Sequence, residues 1–174
     1  LCATKEIKMN GIPTKSGVYR YVHDASFADG FSSFASYENQ SALDMYLSLV
    51  HETPGWVNML MSLRNKLVSK LGLKDLGHLA EVESEKASSD YKVGDRVGIF
   101  TLSFNEHNEI ILEDTDKHLN AKISFYIEPN GETAKVYLST VVHVKNTLGK
   151  VYMFFVGPVH KVIVPSILKK LPRV

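Results

Sequence analysis

A chain of 174 residues, 44% of them hydrophobic, is long enough to bury the core of one good-sized domain and does not require two. Twenty basic residues against nineteen acidic ones leave a net charge of +1, which gives no electrostatic reason to expect nucleic acid or an anionic membrane as partner. The single cysteine, Cys2, rules out an intrachain disulfide and makes a reducing, cytoplasmic setting the simpler expectation.

From the amino end, Leu1-Cys2-Ala3 carries no initiating methionine, which fits a trimmed start or, with Cys2 lipidated after signal cleavage, a processed one. Residues 1–16 are expected to be flexible. Gly17 to His23 is rich in β-formers and reads as a first extended segment, and Ser26 to Phe34 as irregular or extended structure, because Gly30 and the serines weaken the helical spacing of Phe27, Phe31 and Phe34. Ser41 and Asp44 form a short-chain capping box before the stripe Leu43, Tyr46, Leu47, Val50, which predicts a short helix. A second helix is predicted from Thr53-Pro54, an N-cap followed by proline at the first helical position, to Gly72 as C-terminal cap. Residues 74–92 dissolve into charges and serines, a loop of unusual length. Val97 to Phe104 and Glu109 to Glu113 then predict a hairpin, followed by the acidic turn Asp114-Thr115-Asp116.

Lys117 to Asn146 reads as one long hairpin around Asn130-Gly131, the strongest short turn signal. With those two residues as the loop, Ile127 faces Ala134, Phe125 faces Val136, and Leu119 faces Val142 on an apolar face. On the other face His118 opposes His143. Directly opposed Cβ atoms stand about 4.5–5.5 Å apart, so this pair could exchange a proton as acid and base, share a metal, or simply stack. A metal site would need a third ligand from Asp114, Asp116 or His160, and none has diagnostic spacing. No metal or cofactor is expected. After Gly149 a helical stretch runs to about Leu171, apolar nearly all round from Val151 to Val159 and broken or kinked by Pro158 and Pro165. Its apolar run is short and soon followed by His160 and Lys161, so no membrane span is expected.

Three further residues invite functional readings. Arg64 sits mid-face on the second helix, where it either clamps Asp29, snorkels to the helix edge, or holds an anionic group of a ligand. Trp56 is a core or rim aromatic, or a ligand-stacking one. His160, on the apolar helix, is a satisfied core histidine or a ligand contact. Hydrolase and nucleotide-binding signatures do not occur: there is no Gly-x-Ser-x-Gly elbow and no glycine-rich phosphate loop.

The predicted elements make one α+β domain over 1–174: an extended segment, two helices, antiparallel strands forming a curved sheet, and a long terminal helix that covers it. This is a helix-grip arrangement in the order of START and Bet v 1 type domains. The runs His23-Asp24-Ala25-Ser26-Phe27-Ala28-Asp29, Pro54-Gly55-Trp56-Val57 with Leu63-Arg64-Asn65, Asp116-Lys117-His118-Leu119, Val142-His143-Val144-Lys145-Asn146 with Gly149 and Tyr152, and Pro158-Val159-His160 resemble the bacterial family catalogued as domain of unknown function 2867. The resemblance covers nearly the whole chain. It implies a START-like (SRPBCC) helix-grip fold that binds apolar small molecules and is sometimes modified into an enzyme. It also implies a metabolic setting shared with reductase-like dinucleotide-binding domains, and it brings no catalytic residues. Only four strands are counted, fewer than larger START-like domains have after their helices.

On this reading a small hydrophobic or amphipathic molecule lies between the sheet's apolar face and the terminal helix. Its walls are Phe100, Leu102, Ile123, Phe125, Val136 and Leu138 from the strands and Phe154 and Phe155 from the helix, with Trp56, Arg64 and His160 nearby. The alternatives are an enzyme of the same fold using His118 and His143, and an interaction domain for a reductase-like partner.

Overall fold

The computed structural model describes residues 11–69 and 86–172, and within 61–69 the side chains of residues 62 and 65 only. The strands are β1 (Phe27–Ser36), β2 (Arg96–Val97), β3 (Phe100–Glu106), β4 (Glu109–Thr115), β5 (Leu119–Asn130) and β6 (Thr133–Val144). The helices are α1 (Ala42–His51) and α2 (Gly55–Ser69), between β1 and β2, and α3 (Thr147–Leu168), after β6. The six strands form one curved antiparallel sheet in the order β1-β6-β5-β4-β3-β2. The first strand of the chain thus lies beside the last, and two strands join the four counted from sequence.

Two local expectations change. Gly17 to Tyr21 is a 3-10 helix, because Ser16 accepts a hydrogen bond from the Val18 amide and caps it; β1 begins later, through the stretch read as irregular or extended. The chain from Gly11 to Ser16 is also placed, with Ile12 and Ser16 buried. Among the described residues of the long connection, Ser88–Asp90 forms a 3-10 turn and Tyr91 is buried. The helix ends follow the sequence closely. Ser41 and Asp44 make the reciprocal capping box, and α2 starts one residue after Pro54. The expected Gly72 cap lies outside the described residues.

The β5–β6 hairpin closes on Gly131-Glu132 rather than Asn130-Gly131. Asn130 pairs with Thr133, and Gly131 takes the positive φ of 65° that the turn demands. Partners therefore shift by two residues: Phe125 faces Leu138, Ile127 faces Val136, and His143 faces Asn120. A two-residue shift preserves which face each side chain occupies, since strand side chains alternate. The apolar face survives, while the opposition of His118 and His143 does not.

That apolar face carries the main core. Leu102, Ile110, Leu112, Phe125, Ile127 and Val136 are buried against Leu43, Tyr46, Leu49 and Val50 of α1 and Val164 and Leu168 of α3. Tyr46 meets Phe125 edge-on at 5.8 Å between ring centroids, and burial holds the Tyr46 hydroxyl in its neutral form by raising its pKa. On the opposite face Ile12, Val18 and Val22 pack on Ile111 and Val141. Glu109 fastens this cover. Its buried carboxylate accepts from Ser16 Oγ at 2.5 Å, Ser124 Oγ at 2.6 Å and the Gly17 amide at 2.8 Å.

Helix α3 is continuous through Pro158 and Pro165. Its start is fixed by Asn146, whose Oδ1 accepts from the Gly149 amide at 3.1 Å. Gly149 must be small, for a Cβ there would stand 2.5 Å from the His118 carbonyl oxygen. By length and composition alone α3 is long and apolar enough to cross a membrane.

Two predictions follow from these contacts. Glu109→Ala leaves two hydroxyls and an amide without their acceptor and should cost about 2–3 kcal/mol in urea unfolding; a loss below about 0.5 kcal/mol would show that the amino-terminal cover contributes little. Burial alone would raise the Asp44 carboxyl, but hydrogen bonds from Ser41 and Ser88, with help from His107, bring it below its ordinary value of 3.8. Because the folded value is depressed, its contribution is present above about pH 4 and is lost as pH falls through the folded value. Asp44→Asn should flatten the acid limb of a melting-temperature profile in that window.

Candidate functional site

The sheet's apolar face is interrupted by one polar pair. Asp29 of β1 stands directly across from Thr140 of β6, and the same row continues through Ile123 and Leu112 to Leu102. Both are buried. Helix α3 passes over this pair, and His160 reaches down to both. Its Nδ1 lies 3.1 Å from Asp29 Oδ2 and its Nε2 lies 3.2 Å from Thr140 Oγ1. The ring of Phe27, one pair along the sheet, meets the imidazole edge-on at 5.9 Å.

The arrangement is satisfied when His160 Nδ1–H donates to the Asp29 carboxylate and the Thr140 hydroxyl donates to the bare Nε2. The second Asp29 oxygen, Oδ1, is buried and has no hydrogen-bond partner among the described residues. An unpaired carboxylate oxygen out of water is costly, so this atom marks a place where a donor would be stabilising. His160 itself keeps about 20% side-chain exposure, so the site is reachable rather than sealed.

The contact between the sheet and α3 beside it is incompletely buried. On α3 the inward residues Gly157, Val164 and Leu168 are buried, whereas Met153, Val156 and Ile163 are only half-buried. On the facing sheet Phe31, Ala121 and Ile123 are half-buried as well. The sheet and α3 therefore close tightly at the carboxy-terminal end of the helix and less so along its middle.

The expected wall residues divide accordingly. Phe100, Leu102, Phe125, Val136 and Leu138 are buried in the core beneath α1 and α3, interdigitated with their neighbours. They do not line an open space. Ile123 borders the open part. Phe154 and Phe155, expected inside, point outward, 74% and 66% exposed, because at about 100° per residue they lie roughly a quarter and a half turn round the helix from the face that carries Gly157, His160 and Val164. Trp56, at the start of α2, is 39% exposed. The side chain of Arg64 lies outside the described residues; the described partner of Asp29 is His160.

The two histidines of the long hairpin serve separate local tasks. His118 is buried beside the start of α3, where Asn146 Nδ2 stands 2.9 Å from its Nδ1 and Asp116 Oδ1 accepts from its backbone amide at 2.6 Å. It ties the acidic turn to the helix cap. His143 pairs with Asp24 at 3.1 Å on the opposite sheet face, and that bond is the main reason the Asp24 carboxyl lies below its ordinary pKa. Among the described residues no group of three His, Cys, Asp or Glu stands together as a metal-ligand set.

A separate cleft of about 420 Å³ opens at the start of α1, lined in part by Asp44, Ser88, Tyr91, Asn105 and His107. Its polar groups are largely engaged with one another, Ser88 donating to Asp44 and Tyr37 meeting His107 Nε2 at 3.3 Å. It is the wrong chemistry for an apolar molecule.

Neither Asp29 nor Thr140 was singled out as a site residue from sequence. Asp29 entered only as a partner for Arg64, and the one signal available was its position as an acid among the aromatics Phe27, Phe31 and Phe34. No curated protein and no solved structure matches the chain. A family model matches residues 21–167, a span that contains β1, β6, all but the last residue of α3, and all three residues of the polar set. The chain belongs to the family described as "Protein of unknown function (DUF2867)".

Proposed function

We propose that the chain is a helix-grip domain that holds a small amphipathic molecule in the half-open groove between the sheet and α3, with the Asp29–His160–Thr140 set as its polar contact. The order of elements supports the helix-grip reading: a strand, two helices, a run of antiparallel strands that brings the last beside the first, and a long terminal helix across them. The observation that carries the ligand reading is the buried Asp29 Oδ1, without a donor among the described residues, on the apolar side of the sheet beside a partly exposed imidazole. An apolar body against Phe31, Ile123 and Val156, with a hydroxyl or amine directed at Asp29, answers both features.

A second reading is acid–base catalysis in the same groove, favoured by the two distances at His160. A substrate hydroxyl taking the place of Thr140 at Nε2 would meet a base whose orientation is fixed through Nδ1 by a carboxylate. This replaces the His118–His143 pair, whose members stand apart in separate local networks.

Native mass spectrometry of protein purified without denaturation, followed by displacement of an apolar fluorescent probe by long-chain alcohols and amines, tests binding. A retained small molecule is expected, and Asp29→Asn and His160→Ala should each weaken alcohol or amine binding by roughly 10- to 100-fold, the worth of a hydrogen bond to a charged or buried partner. Absence of any bound molecule, together with a probe that neither binds nor is displaced, would remove the ligand reading. Thr140→Val should leave binding within a few-fold.

A further inference from the structure

The outer face of α3 is apolar and is not covered by the described residues. Val151, Phe154, Phe155, Val159 and Val162 are 48%, 74%, 66%, 41% and 60% exposed, and with the exposed Pro158 they follow the spacing of a single helical stripe. Phe154 and Phe155 pack edge-on at 5.3 Å, forming an aromatic ridge with solvent around it. An apolar stripe of this kind on an otherwise charged surface marks an interaction site.

Charge identifies the occupant. After Glu132 the chain carries seven basic residues and no acidic one, against thirteen basic and nineteen acidic residues up to and including it. The near-zero net charge thus hides a positive carboxy-terminal part on a negative remainder. Lys150 and Lys161 are both exposed and eleven residues apart, three helical turns, so they lie along the same flank of the stripe. Lys169 and Lys170 extend the positive charge past the helix end.

We propose that this face docks on an anionic lipid bilayer, with the stripe resting in the headgroup region and Lys150 and Lys161 reaching lipid phosphates. The helix lies on the membrane rather than through it. Its inner face is bound to the sheet through His160 on Asp29 and Thr140, through Gly157 over the Phe27 ring, and through Val164 and Leu168 in the core, and only one side is free to meet lipid. A second copy of the chain is the poorer occupant, because pairing two such faces brings together surfaces of the same charge.

Co-sedimentation of the full chain with vesicles of phosphatidylcholine, alone and mixed with phosphatidylglycerol, tests this. The wild type is expected to sediment with the mixed vesicles and to be released as salt rises. Lys150→Gln with Lys161→Gln should weaken partitioning by roughly 10- to 30-fold, and Phe154→Ser with Phe155→Ser should abolish it with an unchanged circular dichroism spectrum. Wild-type protein that stays in the supernatant, or that binds neutral and anionic vesicles equally, overturns the proposal. So does a dimer in sedimentation equilibrium that the phenylalanine substitutions dissociate. The assay reads the outer face alone, so its outcome stands whether or not the inner groove holds a ligand.

Discussion

The register between β5 and β6 is the constraint on which the rest of this structure depends. Twelve residues of each strand are aligned by a two-residue turn in which only Gly131 has a positive φ. That alignment decides which side chains face α1 and α3 and where Thr140 stands in its row. It also decides how β1 can add at the free edge of β6. A slip of one residue would turn Phe125, Ile127 and Val136 out of the core together. The apolar face is thus both the product of the register and the force that holds it.

Much of the architecture was legible because its signals are local. The capping box at Ser41 and Asp44, the alternation along β5 and β6, and the proline before α2 each act within a few residues and appear where the sequence placed them. The misreadings came from competition that local patterns do not register. Gly17 to Tyr21 has strand-like composition, yet the Ser16 cap and the Glu109 carboxylate draw its amides into a 3-10 turn. The turn moved by one residue, and the partners by two, because a turn and its neighbour can both place a glycine at the bend, and strand pairing chooses between them.

The polar set was harder to see for a geometric reason. Asp29, Thr140 and His160 come from the first strand, the last strand and the terminal helix, and no sequence spacing links them. His118 and His143 drew attention because a hairpin makes distant residues predictable neighbours, and that prediction was only as good as the register. A buried acid on an apolar strand face was the more informative sign. Helix α3 shows the same limitation: its all-round apolar character announced a helix but not which side would meet the sheet, so Phe154 and Phe155 were assigned inward.

The adjacency of β1 and β6 has a consequence for how the chain reaches its native state. Phe27 pairs with Val142 and Ser36 with Thr133, contacts between segments separated by most of the sequence, and such pairings close slowly because the intervening loop entropy is lost before the contacts form. The β3 to β6 meander and α1 can assemble earlier from nearer neighbours. The polar set then comes into being in the final step, when the amino-terminal strand docks and α3 settles over it. During synthesis its three residues cannot meet until the chain has emerged through His160, so a product stalled before that point lacks the site.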